Sequence, residues 1–130
     1  MTHRSRFSAL LLPFALLALI PKHPLEVVMS PAEQELRTLL TTYETSLNAG
    51  DAARIEQLYA EDGVFMPAGF PTASGRPSVR GAYDAVFANI RIAIHFTVDE
   101  LTVKGDVAYA RTHSAGTATV VERGDGRAVG

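Results

Sequence analysis

The sequence predicts an α+β fold in which three helices precede a run of antiparallel strands. Three observations carry that expectation. A helix stop is followed at once by a helix start at Leu47-Asn48-Ala49-Gly50-Asp51. Apolar spacing changes after Ile90 from the three-and-four pattern of a helix to strict alternation. Lys104-Gly105-Asp106 then separates two strand-like runs, as a hairpin turn does.

Taken in order, Ser30-Pro31-Ala32-Glu33 combines a capping serine, proline at the first helical position and a glutamate three residues after the cap. Leu36, Leu39, Leu40, Tyr43 and Leu47 follow on one stripe, with Glu35, Arg37, Thr41 and Glu44 on the other side. Gly50 suits a left-handed C-terminal cap and Asp51 can cap new amides, so the chain reverses there. The second helix, Asp51 to Ala60, carries Ile55, Leu58 and Tyr59 at helical spacing, and Glu61-Asp62-Gly63 turns it into the short strand Val64-Phe65-Met66. Pro67 to Arg76, with its prolines and glycines, reads as a loop in which Phe70 is the large apolar residue.

Pro77 opens a third helix, in which Val79, Tyr83, Val86, Phe87 and Ile90 keep helical period to about Asn89. Ile92, Ile94, Phe96 and Val98 alternate with Ala93, His95, Thr97 and Asp99, giving a strand with one buried face. The period slips at Asp99-Glu100, where Leu101 and Val103 take over the apolar positions, so a β-bulge is expected there. The run from Val107 to Val121 pairs back across the hairpin, and Glu122-Arg123-Gly124-Asp125-Gly126 forms another turn.

With 130 residues the chain reads as one domain able to bury a core. Its twelve basic and fourteen acidic residues are interspersed, which leaves no basic stripe for nucleic acid. The absence of cysteine removes disulfides and thiolate chemistry, no histidine pair has metal-ligand spacing, and no cofactor is expected. Residues 1–28 differ in character, because Arg4 and Arg6 precede an apolar run from Phe7 to Ile20. Two expectations follow: a secretory or periplasmic leader, or a misread start before Met29, which would place residues 29–130 in the cytoplasm.

LNAGD from Leu47, LYAEDGVF from Leu58, SGRPSVRGAY from Ser74 and KGDVAYARTHSAGT from Lys104 together resemble the SnoaL-like and ketosteroid-isomerase-like proteins of the nuclear transport factor two superfamily. The resemblance covers roughly Ser30 to Arg127. It implies a curved antiparallel sheet wrapped against the helices as a cone-shaped α+β barrel, with a conical pocket inside. It also implies strands beyond Val121, so the chain is expected to lack its last strands and to be poorly soluble, or oligomeric through an open edge.

Residue by residue, Tyr43 matches the helix-one tyrosine that hydrogen-bonds the developing enolate oxygen in the isomerases. Their carboxylate base falls here on Met66, before Pro67, so steroid isomerase activity is not expected. Met66 is expected to be buried beside Tyr43. On the last strand, Val107, Tyr109, Arg111 and His113 alternate with Ala108, Ala110, Thr112 and Ser114; the resemblance favours the bulky set facing the pocket. The ligand-pocket candidates are therefore Tyr43, Met66, Tyr109, Arg111 and His113. Arg111 and His113 on an outer sheet surface, and Tyr43 as a core tyrosine, stand as the plainer alternatives. The implied function is binding of a small, largely apolar organic molecule, with general acid-base isomerase, cyclase or hydratase activity. The alternative is a non-catalytic association module, and a homodimer through the sheet is expected in either case.

Overall fold

The computed structural model describes residues 28–121; the apolar leader run and the turn at Glu122 to Gly126 lie outside the described residues. Helix α1 (Pro31–Ala49) opens on the cap read from the sequence. Glu33 N–H donates to Ser30 Oγ at 3.2 Å, and Ser30 N–H donates to Glu33 Oε2 at 3.0 Å. It closes at Gly50, whose φ of 67° is left-handed and whose N–H reaches the Leu47 carbonyl. Asp51 accepts from Arg54 N–H at 3.0 Å and starts α2 (Ala52–Leu58), which ends two residues before the expected Ala60.

Strands β1 (Val64–Phe65) and β2 (Ala73–Ser74) pair antiparallel. β2 lies inside the stretch that the sequence presented as uninterrupted loop, because two residues are too few to display a strand period. Helix α3 (Arg76–Asn89) follows Gly75, with proline in its first turn. β3 (Ile90–Lys104) and β4 (Val107–Val120) form the long hairpin, in register from Ile90 opposite Val120 to Lys104 opposite Val107. The register shifts between Val98 and Glu100, so Asp99 is the extra residue of the expected bulge. The architecture is α+β, three helices with antiparallel strands.

The core sits where the helices meet. Leu47 of α1, Ala52 and Ile55 of α2, Ala73 of β2, and Val79 and Tyr83 of α3 are buried, with Ile55 and Val79 fully inaccessible. Burying either side chain completely contributes about 1.5–3 kcal/mol. Ile92, Ile94 and Phe96 of β3 pack against this cluster from one side, which makes that face of the hairpin the helix side.

Helix and sheet are joined at the backbone as well. Asn48 Nδ2 donates to the Ile94 carbonyl at 2.8 Å and Asn48 Oδ1 accepts from Ile94 N–H at 2.8 Å. One turn earlier, Glu44 Oε2 accepts from Phe96 N–H at 2.6 Å and its other oxygen meets His95 Nδ1 at 3.2 Å. The α1 side chains therefore occupy the β3 edge as a neighbouring strand would. Opposite Ile94, Gly116 has φ of 144°, and a Cβ there would collide with the Ala93 carbonyl and the Ile94 backbone. Only glycine fits.

The register also decides which side of β4 faces the helices. Directly paired residues of an antiparallel ladder share a face, and Phe96 is opposite Ser114 while Val98 is opposite Thr112. Ala108, Ala110, Thr112 and Ser114 are thus on the helix side, and Tyr109, Arg111 and His113 point away from it. This reverses the facing expected for the bulky set. Parity within β4 divides its residues into two sets, but only pairing with β3 says which set turns inward.

Two outcomes test the join. Asn48→Leu should lower stability by about 1 kcal/mol, the scale of losing hydrogen bonds that water partly replaces, seen as a lower midpoint in thermal or denaturant melts. The Glu44 carboxyl is held below its ordinary pKa, first by the Phe96 N–H and then opposed by desolvation and aided by His95. Its stabilisation is present above the ordinary carboxylate range and is lost as pH falls through the lowered value. Glu44→Gln should therefore flatten the acid limb of a plot of stability against pH.

Candidate functional site

Three tyrosines from three helical segments converge. Tyr43 stands on α1 one turn before buried Leu47, Tyr59 is the C-terminal cap of α2, and Tyr83 lies on α3 one turn after buried Val79. The Tyr43 and Tyr83 hydroxyls are 2.5 Å apart and those of Tyr59 and Tyr83 are 3.3 Å apart. Arg76 Nε donates to the Tyr59 carbonyl at 2.6 Å and pins that cap to the start of α3. Aromatic contacts hold the rings. Tyr43 stacks on Phe96 with centroids 5.7 Å apart, and Tyr83 stacks on Phe65 at 4.6 Å.

Each phenol carries one proton, and two links use two of the three. Because Tyr83 is buried, its own proton is spent on one of its neighbours, and the O–H left over is at an end of the chain, on Tyr43 or Tyr59. Both of those side chains, with Leu39 and Leu58, line a recess of about 210 Å³, so the network presents a hydrogen-bond donor there. Burial disfavours the phenolates. It raises the Tyr43 pKa to about 12, against a smaller opposing effect of the Tyr83 hydrogen bond, and it raises that of Tyr83 as well, with both neighbouring phenols adding to the rise. Tyr43 and Tyr83 are therefore neutral at ordinary pH.

On the far side of the Phe65 ring lies a larger cavity of about 600 Å³, between the stretch 67–72 and α3. Phe65, Phe70, Ala82, Val86 and Ile90 make much of its wall, Thr72, Ser78 and Asn89 supply polar groups, and no charged side chain or histidine lines it. Phe65 belongs to both places, lining this cavity and stacking on Tyr83.

Of the residues singled out in the sequence, Tyr43 is part of the network. Met66 is 76% exposed, contrary to its expected burial: strand alternation turns Phe65 onto Tyr83 and Met66 the other way. Tyr109, Arg111 and His113 do not join Tyr43. They lie on the side of β4 turned away from the helices, where the bulge aims Asp99 between two of them. His113 Nδ1 is 2.9 Å from Asp99 Oδ1, Arg111 is 3.5 Å from Asp99 and 3.6 Å from Glu100. This is a solvent-exposed charged cluster. Tyr59, Tyr83 and Phe65 were missed as site residues. Their signal was present in outline, since Tyr43, Tyr59 and Tyr83 all fall on core-facing helical positions and a buried phenol needs a partner. Among the described residues no group of three or more His, Asp or Glu is placed to hold a metal ion.

The model of the SnoaL-like domain matches residues 40–129. No curated protein matches the chain. Among solved structures, the chain is similar to a ketosteroid isomerase-like protein from Erwinia carotovora atroseptica at 24% identity, covering 71% of this chain and 72% of that one with a TM-score of 0.66. It is similar to an NTF2-like protein with a cystatin-like fold from Novosphingobium aromaticivorans at 31% identity, covering 67% and 63% with a TM-score of 0.51. An LEH-like epoxide hydrolase from Mycobacterium tuberculosis shares the fold at 12% identity, covering 69% and 65% with a TM-score of 0.50. The chain spans less than two thirds of the length of these last two.

The phenol network makes a prediction with a definite sign. The folded-state pKa of Tyr43 is above the unfolded value of about 10, so its contribution to stability is complete below pH 10 and is lost as pH rises toward 12. Absorbance titration of phenolate should show a component near 12 that Tyr43→Phe removes, and the same variant should lose stability less steeply in alkali.

Proposed function

The chain belongs to the SnoaL-like domain family, and from that premise we propose that it binds a small, largely apolar organic molecule in the cavity beside the tyrosine network. The observation that carries the reading is the 600 Å³ cavity without a charged lining residue, one wall of which, Phe65, stacks on Tyr83. That volume lies in the range of small-molecule pockets, which are mostly apolar with a few polar groups that orient the ligand. A neutral ligand fits. An ionised one would leave water for a site offering only hydroxyl and amide partners.

The spare phenol O–H of Tyr43 or Tyr59 opens into the separate, smaller recess, so chemistry would require a ligand oxygen that reaches from the cavity past Phe65 into that recess, where a neutral phenol donates to an oxygen that gains negative charge. Such donation suits the oxyanion stage of isomerase, cyclase or hydratase-type reactions, whereas the base that an enol route needs to take a proton from carbon is supplied by neither lining. The one solved relative named above as isomerase-like shares the fold. Met66, at the position matched to the isomerases' base, cannot take a proton, and no carboxylate lines either cavity. Efficient steroid isomerisation is therefore not part of the proposal.

Extraction of the protein purified from its native cell, followed by mass spectrometry, should yield a neutral, mainly apolar compound. Ala85→Trp, which fills the cavity from α3, should weaken its binding at least about tenfold, the scale of removing one well-filled contact, without lowering the melting temperature. Tyr43→Phe should leave that affinity within a few fold. Retained binding by the Ala85→Trp protein would sink the cavity assignment, and measurable turnover of a simple unsaturated ketosteroid by the unsubstituted protein would overturn the exclusion of isomerase chemistry.

A further inference from the structure

The larger cavity is bounded on one side by a stretch that its own strands do not hold. Gly75 N–H donates to the Gly63 carbonyl at 2.8 Å, and Val64 and Phe65 pair with Ser74 and Ala73. Bonded and non-bonded pairs alternate along an antiparallel ladder, so the bonded positions are 63 with 75 and 65 with 73, and the next is 67 with 71. Both of those residues are proline, and neither has an N–H to donate. The ladder therefore ends at Phe65 and Ala73. Beyond it, Phe70 N–H closes a turn on the Pro67 carbonyl at 3.3 Å, with Gly69 at a φ of 78°. A Cβ on Gly69 would meet nothing within 4 Å, and residues 68–72 are all exposed. Among the described residues no backbone hydrogen bond joins 66–72 to α3.

Phe70 lines the cavity and is nevertheless 72% exposed, so a large ring keeps most of its surface in water beside an apolar space. Across the cavity α3 presents Ala82 and Ala85, which leave room for the ring to move inward. We propose that residues 66–72 form a strap that closes over a bound ligand and swings the Phe70 ring from solvent onto the molecule in the cavity. The inference rests on the cavity being the binding site. An apolar ligand gives Phe70 an apolar partner, and closing takes surface of both out of water. The movement breaks no ladder bond, and Gly69 adapts without the restriction that a Cβ imposes. The strap thus governs how fast a ligand leaves, whereas α3 and Phe65 govern which ligand fits.

Phe70→Trp places a single tryptophan on the strap of a chain that otherwise has none, and Nile red, a neutral apolar dye, serves as the probe. Tryptophan emission should lie at the wavelength of an exposed indole before the dye is added and move to shorter wavelength with it. Phe70→Ala should speed dye dissociation in stopped flow about tenfold, the scale of losing part of the burial of a phenylalanine ring, and leave association within a few fold. Met66 and Thr72 are the next pair of the register and the chain has no cysteine, so Met66→Cys with Thr72→Cys, added to Phe70→Trp, makes a bridge that can be formed and reduced. The oxidised form should hold the strap in line with β1 and β2 and lose the shift, and reduction should restore it; a ring that is a fixed piece of wall gives the same spectrum in both. If the cysteines do not bridge, Pro67→Val with Pro71→Val returns the missing N–H groups to the ladder and should suppress the shift as well. Dye bound without a shift, or a shift that persists under restraint, overturns the strap alone. Short-wavelength emission before dye is added also overturns it, since another part of the chain then covers the ring. Absent dye binding, or binding that Ala85→Trp leaves intact, overturns the cavity reading and the strap with it.

Discussion

The bond pair between Asn48 and the Ile94 backbone is the constraint on which the rest of this structure depends. A carboxamide presents one donor and one acceptor at the spacing of a peptide unit, so it pairs with a strand edge in one register. With Glu44 on Phe96 N–H a turn earlier, α1 and β3 meet in one alignment. Phe96 is thereby laid on the Tyr43 ring. A slip of one residue would turn Ile92, Ile94 and Phe96 to solvent.

That alignment explains why the phenols gather without a carboxylate. Tyr43 is set by α1 and Phe96, Tyr83 by its buried place between Phe65 and Phe87, and Tyr59 by the end of α2 held through Arg76. Each hydroxyl in an apolar setting needs a partner, and the three supply one another. Burial keeps Tyr43 and Tyr83 neutral, and the network leaves one proton to offer. The network offers a hydrogen-bond donor and no base. The larger cavity shares only the Phe65 ring with it, so cavity and phenol network are built from neighbouring but separate sets of residues.

The hairpin divides its work by side. Its helix-side face supplies Ile92, Ile94 and Phe96 to the core, whereas the bulge at Asp99 collects Arg111 and His113 into a polar cluster on the opposite face. A single extra residue does this, since it lets Asp99 and Glu100 both face away from the helices while Leu101 and Val103 return to the apolar side.

What the sequence by itself determined is the local chemistry. Ser30 with Glu33, Gly50 with Asp51, the change of period after Ile90 and the slip at Asp99 each act over a few residues, and each appears where the residues required it. The strand pair around the 67–72 stretch was beyond its reach, because two-residue strands carry no period. The tertiary structure decided what depends on partners distant in the chain. Parity divided β4 into two rows, but the helix-facing row follows from the pairing of Phe96 with Ser114, and this moved Tyr109, Arg111 and His113 out of the site. Tyr43 was legible as a site residue on its own. Tyr59 and Tyr83 were not, because a hydrogen bond between phenols 24 to 40 residues apart exists only once the helices that carry them have packed.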